Sequence, residues 1–387
     1  MLHVMPIFGT RPESIKMAPI IRVLEASPGV QVTVVVTAQH RALMDDVLTV
    51  FDIRPALDLD LMRDDQSPTG VASAVLFELE PLLRSYRPDW VLVQGDTTTV
   101  MAAAIAAHYS RVMVGHVEAG LRSFDRANPF PEEMNRVVTG HIADLHFAPT
   151  DAARGNLLRE GIPADRILVT GNTVIDALRL VTKESWSPPF DDPLARLPVG
   201  LRWILVTAHR RENFGQPIRD ICHALLQLAN RGDVHLVFPV HPNPNIHGPV
   251  YEILAGNSGI TLLPPVDYRR FAWLLAHAAL VLTDSGGIQE EAPSVGKPVL
   301  ILRETTERPE AIEAGSARLV GTTPERIIEA AAALLDNAEA YSAMACAGNP
   351  YGDGFAAQRI VAFLLGKKQS PWQVNRAALV GLADCEG

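Results

Sequence analysis

Acidic side chains gather in two short stretches. "QGDTTT" (94–99) sets Asp96 ahead of three threonines, and "GHVEAGLRSFDRANPFPEEMNR" (115–136) carries Glu118, Glu132 and Glu133 among Gly and Pro. Carboxylates that share a site raise one another's proton affinity, so one can hold a proton while its neighbour accepts one. Plainer roles stand beside this one. Asp96 also suits a helix N-cap, and the glutamates also suit solvated or Arg-paired positions, with Arg122, Arg126 and Arg136 near in sequence. Residue types alone leave the choice open.

A second group of stretches suits phosphate. In "TDSGGIQEEAPSVGKPVL" (283–300), Ser285, Gly286 and Gly287 precede a short helix. Free N–H groups at a helix start attract anions, and glycines let a phosphate approach closely. Glu290 and Glu291 lie about one turn further on, where a carboxylate can accept both hydroxyls of a ribose; simple capping explains the same residues. "FGTRPESIKMAP" (8–19) offers Arg11 and Lys16 around a Pro-started helix, or merely solvated charges. "VTAHRRENFG" (206–215) places His209, Arg210 and Arg211 together, a proton carrier beside diphosphate-binding cations, or a polar loop. His241 in "FPVHPNP" (238–244) sits between prolines and is as well explained structurally.

Other chemistries find no support. The 387 residues carry 34 Lys and Arg against 44 Asp and Glu, a net charge of −10, which argues against nucleic-acid binding. The twelve His form no HExxH and no Cys/His cluster, so no metal is expected. "GDGFAA" (352–357) follows "NPY" rather than a strand and is no dinucleotide fingerprint; Walker A and GxSxG motifs are absent. Three scattered Cys without CxxC point to a reducing compartment. No signal peptide or membrane span is read, and a soluble cytoplasmic protein is expected.

These residues need elements to hold them. Short apolar runs at 2–8, 30–37, 89–94, 112–117, 145–149 and 167–171 alternate with helix-like segments such as 13–26 and 97–110. The run "KESWSPPFDDPLARLPVGLR" (183–202) has four Pro and no period, and is the linker candidate. Alternation resumes at 203–209, 234–241, 260–265, 279–285, 298–303 and 317–322. The expectation is an α/β chain of two Rossmann-like, doubly wound domains with a cleft between them. The polar motifs fall just after strands, where open α/β sheets bind ligands. The predicted boundaries are 1–182, then 203–350, then a tail at 367–387, polar and loose.

In order, these motifs closely resemble the non-hydrolysing UDP-N-acetylglucosamine 2-epimerases. The matching blocks are "FGTRPESIKMAP", "GDTTT", "GHVEAGLRS", "PFPEEMNR", "DLHFAPT", "TGNTVIDAL", "TAHRRENFG", "TDSGGIQEEAPSVGKPVL", "RETTERPEAIEAG" and "NPYGDG", spanning residues 8 to 354. The resemblance implies a GT-B-type architecture in which a final helix, 355–366, completes the first domain. It also implies interconversion of UDP-GlcNAc and UDP-ManNAc without a cofactor, and a homodimer. It places catalytic roles on Asp96, Glu118, Glu132 and His209. Arg11, Lys16, Arg136, Ser285, Gly286, Gly287 and Glu291 are placed around the nucleotide, with Phe271 at the uracil. A second, activating substrate site is implied at Gln39, His40, Gln66, Arg210 and His241. Two family positions of that site are changed here, to Ala42 and Asp65, and an acid beside a diphosphate is unfavourable. Gln94 stands where many members have His. The competing readings are a hydrolysing relative, an acceptor-dependent glycosyltransferase and a sensor without turnover.

Overall fold

The computed structural model describes residues 1–37, 41–61, 63, 66–367 and 372. The chain divides into two compact units: Met1–Leu180 with the described residues from Tyr351 onward, and Val181–Pro350.

Among the described residues, the first unit is built on a sheet of eight parallel strands. They are β1 (Leu2–Phe8), β2 (Val30–Val32), β3 (Val35–Val36), β4 (Leu57–Asp58), β5 (Trp90–Gln94), β6 (Met113–Val117), β7 (Leu145–Ala148) and β8 (Ile167–Val169), in the order β4-β3-β1-β5-β6-β7-β8, with β2 also on β1. The apolar run 30–37 reads as one strand but is two: β2 pairs with Leu2–Val4, and β3 with Ile7–Phe8. Thr33 lies between them and its hydroxyl meets His3 Nε2 at 2.9 Å. The second unit carries β9 (Arg202–Thr207), β10 (Val234–Pro239), β11 (Ile260–Leu263), β12 (Leu280–Thr283), β13 (Val299–Ile301) and β14 (Ala317–Leu319), parallel and in the order β11-β10-β9-β12-β13-β14. Strands such as β5 and β12 are buried along their whole length, which is why they read as unbroken apolar runs.

In each sheet the strand order reverses beside the first strand. The reversal lies between β1 and β5 in one unit and between β9 and β12 in the other. Loops at the carboxyl ends on either side of such a reversal diverge and leave room for a ligand. The loops there hold Gly9–Arg11 and Gly95–Thr97 in the first unit, and His209–Arg210 and Asp284–Ser285 in the second.

The helix Ala356–Leu364 belongs to the first unit and buries Ile360, Val361 and Leu364. Its first N–H groups, on Ala356 and Ala357, donate to the Asp176 carboxylate at 3.2 and 2.8 Å. Asn172 N–H donates to Tyr351 O at 2.6 Å, and Arg359 donates to Thr170 O at 3.1 Å.

The Pro-rich stretch 183–202 is not loose. Trp186 packs edge-on against Trp273 at 6.1 Å, Glu184 pairs with Arg269 at 2.9 Å, and buried Asp192 pairs with Arg270 at 2.7 Å. All three partners lie on one helix, Tyr268–His277, so the stretch is a strap on the second unit. Most of the C-terminal tail lies outside the described residues; Trp372, which is described, is buried and donates its N–H to Val169 O at 2.9 Å. Among the described residues no helix is long and apolar enough to cross a membrane.

Candidate active site

Glu118 is the first residue after β6 and adopts φ 63°, a left-handed conformation uncommon for a residue with a side chain. The turn aims its carboxylate at three donors. Lys16 Nζ and Asn172 Nδ2 reach Oε1 at 2.5 and 2.8 Å, and Gln94 Nε2 reaches Oε2 at 2.5 Å. The donors come from the helix Arg11–Glu25, from the loop after β8 and from the end of β5. Three elements therefore fix one rotamer. Lys16, expected around the nucleotide, stands on this carboxylate. Gln94 cannot carry a proton but is a donor fixed to the candidate base.

Behind Glu118, Gly120 O accepts from Asn156 Nδ2 at 2.9 Å. Arg122, whose side chain is fully buried, makes a two-pronged pair with Glu160 at 2.7 Å on each arm. The loop is thus anchored to the helix Asp151–Arg159 and the residue that follows it.

Asp96 follows β5 directly. Its Oδ2 accepts from Arg136 Nε and Nη2 at 2.9 and 2.6 Å, and its backbone carbonyl accepts from Asn135 at 2.9 Å. The guanidinium of Arg136, a residue placed around the nucleotide by the resemblance, bridges Asp96 and Glu133, the latter at 3.1 Å. Glu133 is buried and accepts from Ser123 N and Phe124 N at 3.0 and 2.9 Å. These bonds, with Arg136, outweigh the effect of burial and hold its pKa below the usual value. It staples the loop 123–131 to its own helix, Glu132–Ile142. The side chain of Glu132, a half-buried residue at the start of that helix, makes no hydrogen bond or ion pair among the described residues. Beneath the Asp96 turn, His116 Nε2 lies 2.8 Å from Gly95 O. Burial pulls this histidine down to about 4, so it is neutral, and Nε2 carries the hydrogen that the carbonyl accepts.

In the sequence Glu13 looks like an ordinary first-turn acid of a surface helix. It is buried and ties the two loops at the strand-order reversal. Oε2 accepts from Gly9 N and Thr10 N at 2.6 and 3.1 Å, and Oε1 accepts from the Thr97 hydroxyl at 2.5 Å. Burial dominates these bonds and pushes its pKa up to about 7. The unfolded chain loses this proton near 4.5, whereas the folded chain keeps it until about 7. Stability therefore falls as pH rises through that window, by at most about 3 kcal/mol. Glu13→Gln keeps every bond: the amide oxygen takes the two N–H groups, the NH₂ donates to Thr97, and the hydroxyl turns round. Melting curves of the two proteins from about pH 5 to 8 should converge at the acid end, with the Gln variant the more stable at the basic end. A constant difference across that range would contradict the assignment.

In the second unit, His209 follows β9 and Asp284 follows β12. Asp284 is fully buried, and its Oδ2 accepts from His209 N, Arg210 N and Asn213 Nδ2 at 2.8, 2.8 and 2.9 Å. The His209 ring stacks on His241 at 5.7 Å, and His241 Nδ1 accepts from Asn243 N at 3.1 Å. Burial lowers the His209 pKa, with Asp284 opposing. Ser285 precedes the short helix Gly286–Glu291, and its N–H donates to Thr283 Oγ1 at 3.0 Å. Glu290 is bound by Arg308 at 2.7 Å; Glu291 accepts from Tyr268 OH at 2.8 Å. Tyr268 and Phe271 are three residues apart on the same helix, Tyr268–His277. Arg308 also lies against Gly286, where a Cβ would come within 3.2 Å of its guanidinium carbon. This cation sits in the block "RETTERPEAIEAG", to which the sequence reading gave no role.

Of the residues suggested for an activating site, Gln39, His40 and the changed Asp65 lie outside the described residues. Gln66 closes its own turn, accepting from Arg63 N at 3.1 Å and donating to Leu61 O at 3.0 Å. Arg210 reaches Glu307 at 3.7 Å. Among the described residues no three His, Cys, Asp or Glu side chains are grouped to hold a metal ion.

A family model described as UDP-N-acetylglucosamine 2-epimerase matches residues 22–365. A protein of Salmonella typhimurium named UDP-N-acetylglucosamine 2-epimerase is 51% identical over 366 residues, covering 93% of this chain and 97% of its own. The crystal structure of UDP-GlcNAc 2-epimerase from Neisseria meningitidis bound to UDP-GlcNAc superposes with a TM-score of 0.86 at 43% identity, covering 95% of this chain and 100% of that one. The enzyme from Methanocaldococcus jannaschii, in complex with UDP-GlcNAc and UDP, gives 0.77 at 35% identity over 94% and 100% of the two chains.

Proposed function

The chain belongs to the UDP-N-acetylglucosamine 2-epimerase family, and on that premise we propose that it interconverts UDP-GlcNAc and UDP-ManNAc by elimination and re-addition of UDP. The hydrogen at C2 is not beside a carbonyl and resists direct removal. Departure of UDP from C1 develops positive charge next to C2 and acidifies that hydrogen. The C1–O bond breaks, a carboxylate takes the C2 proton anti to it, and the C1–C2 double bond of a 2-acetamidoglucal forms. A proton delivered to the opposite face, with return of UDP to C1, gives the epimer. Two faces call for two proton carriers.

On this reading Asp96, Glu118 and Glu132 supply the carriers, with Asp96 oriented by Arg136 and Glu118 by Lys16, Gln94 and Asn172. Arg11 and the amides of Ser285, Gly286 and Gly287 stabilise the departing diphosphate, and His209 acts beside them as acid and base, giving a proton to the leaving UDP oxygen and taking it back on re-addition. Glu291 and Phe271 hold the ribose and the uracil. The observation that carries the reading is Glu118 itself, a carboxylate held by three donors from three elements beside the strand-order reversal of the first sheet. The same reading makes the protein a cytoplasmic homodimer that supplies ManNAc for a surface polysaccharide.

Proton NMR with UDP-GlcNAc in heavy water tests it. Deuterium should enter C2 as UDP-ManNAc appears. No exchange and no epimer after long incubation would end the proposal. Free ManNAc and UDP as the main products would point to a hydrolysing enzyme instead.

A further inference from the structure

Asp284 lies in the segment "TDSGG", directly before the serine and glycines that the resemblance places around the nucleotide. Its two oxygens face different partners. Oδ2 is saturated by His209 N, Arg210 N and Asn213 Nδ2. Oδ1 is buried, has no hydrogen bond among the described residues, and lies 3.5 Å from His209 Nδ1. Asn213 is itself buried and also donates to Leu302 O at 3.2 Å, so the carboxylate is locked between β9 and β12. The other groups facing His209 are the His241 ring and Arg210. Neither is placed to accept a proton from Nδ1 in the way a carboxylate oxygen is.

We propose that Asp284 is a positioning residue that fixes the tautomer of His209, holding the hydrogen on Nδ1 and leaving the lone pair on Nε2. A buried carboxylate oxygen can only accept, so the facing ring nitrogen must donate. Nε2 is then the atom that exchanges a proton, and Asp284 steadies the imidazolium whenever Nε2 takes one.

The design of the site makes Asp284→Asn a clean reversal. Three donors hold the amide oxygen at the Oδ2 position, so the NH₂ must face His209 Nδ1. That nitrogen becomes an acceptor, and the hydrogen moves to Nε2. The loop keeps its bonds while the tautomer inverts.

Nitrogen NMR of the ring-labelled full-length protein reads this directly, with His209→Gln identifying the signal. In the unsubstituted protein Nδ1 should be the protonated, pyrrole-type nitrogen and Nε2 the pyridine-type one; in Asp284→Asn the two should exchange. A protonated Nε2 with a bare Nδ1 in the unsubstituted protein overturns the proposal whether or not the variant folds. The kinetic arm rests on the reaction proposed above: kcat should fall on the order of 10²-fold or more, with KM for UDP-GlcNAc changed little. Full kcat in Asp284→Asn with an inverted tautomer would also overturn the role. Absence of epimerisation in the unsubstituted protein strikes at the reaction alone, because the spectra still report the tautomer.

Discussion

Glu118→Gln is expected to lower C2 exchange and epimerisation together by about 10²–10⁴-fold while the protein stays folded and still binds UDP. The contacts around this residue make the test sharp. The amide oxygen can remain on Lys16 and Asn172, the two donors to Oε1. The NH₂ then meets Gln94, whose own amide can turn to present its oxygen. Shape and hydrogen bonding survive, and what is lost is the negative charge that accepts a proton and offsets Lys16. Some stability is lost with the Lys16 pair, because that ammonium is mostly buried and loses its counter-charge. UDP titration by calorimetry separates the two effects. Unchanged UDP affinity with lost turnover places the defect in the chemistry. A variant as active as the unsubstituted protein would show that Glu118 is not a proton carrier.

Gly120→Ala should be the most damaging single methyl in this loop. Gly120 has φ 91°, and a Cβ there would lie 2.3 Å from the carbonyl oxygen of Ala153 and 2.8 Å from its carbon. Both atoms are backbone within the helix Asp151–Arg159, so no side chain can swing away. Strain at the positive φ adds to the overlap, and the loss is expected to be on the order of 4 kcal/mol. The carboxylate of Glu118 is two residues upstream, so turnover should fail even in molecules that fold. Thermal melting and the C2-exchange rate check both parts. An unchanged melting temperature would mean that the helix and the loop are less tightly fitted than they stand.

Much of the sheet architecture is legible in the chain because strands buried on both faces leave unbroken apolar runs, and polar residues mark where those runs end. The break between β2 and β3 is not, since Thr33 and Val34 look like any strand residues. Asp96, Glu118, His209 and Ser285 stand out by being polar at strand ends. Their supports do not. Lys16 and Glu118 are 102 residues apart, and the order β1-β5-β6 that unites them is a tertiary fact. Asn172 and Asp284 also follow strands, inside motifs already marked, and equal weight for every polar strand-end residue would have found them. Glu13 could not be found so. Its type and place suit a first-turn acid, and only burial reveals the other use. The strap 183–202 misleads for a similar reason, because prolines break periodicity without preventing packing on a distant helix.

The return of the chain to the first unit at Tyr351 has a consequence for the newborn protein. The ribosome delivers β1 to β8 first, then the whole second unit, and only then the helix Ala356–Leu364. Until that segment emerges, Asp176 awaits the amides of Ala356 and Ala357, and the apolar seat for Ile360, Val361 and Leu364 stays open to water. Vectorial synthesis therefore holds the half that bears Glu118 unfinished until the whole second unit has been made, and a ribosome stalled after residue 350 would present that seat to chaperones.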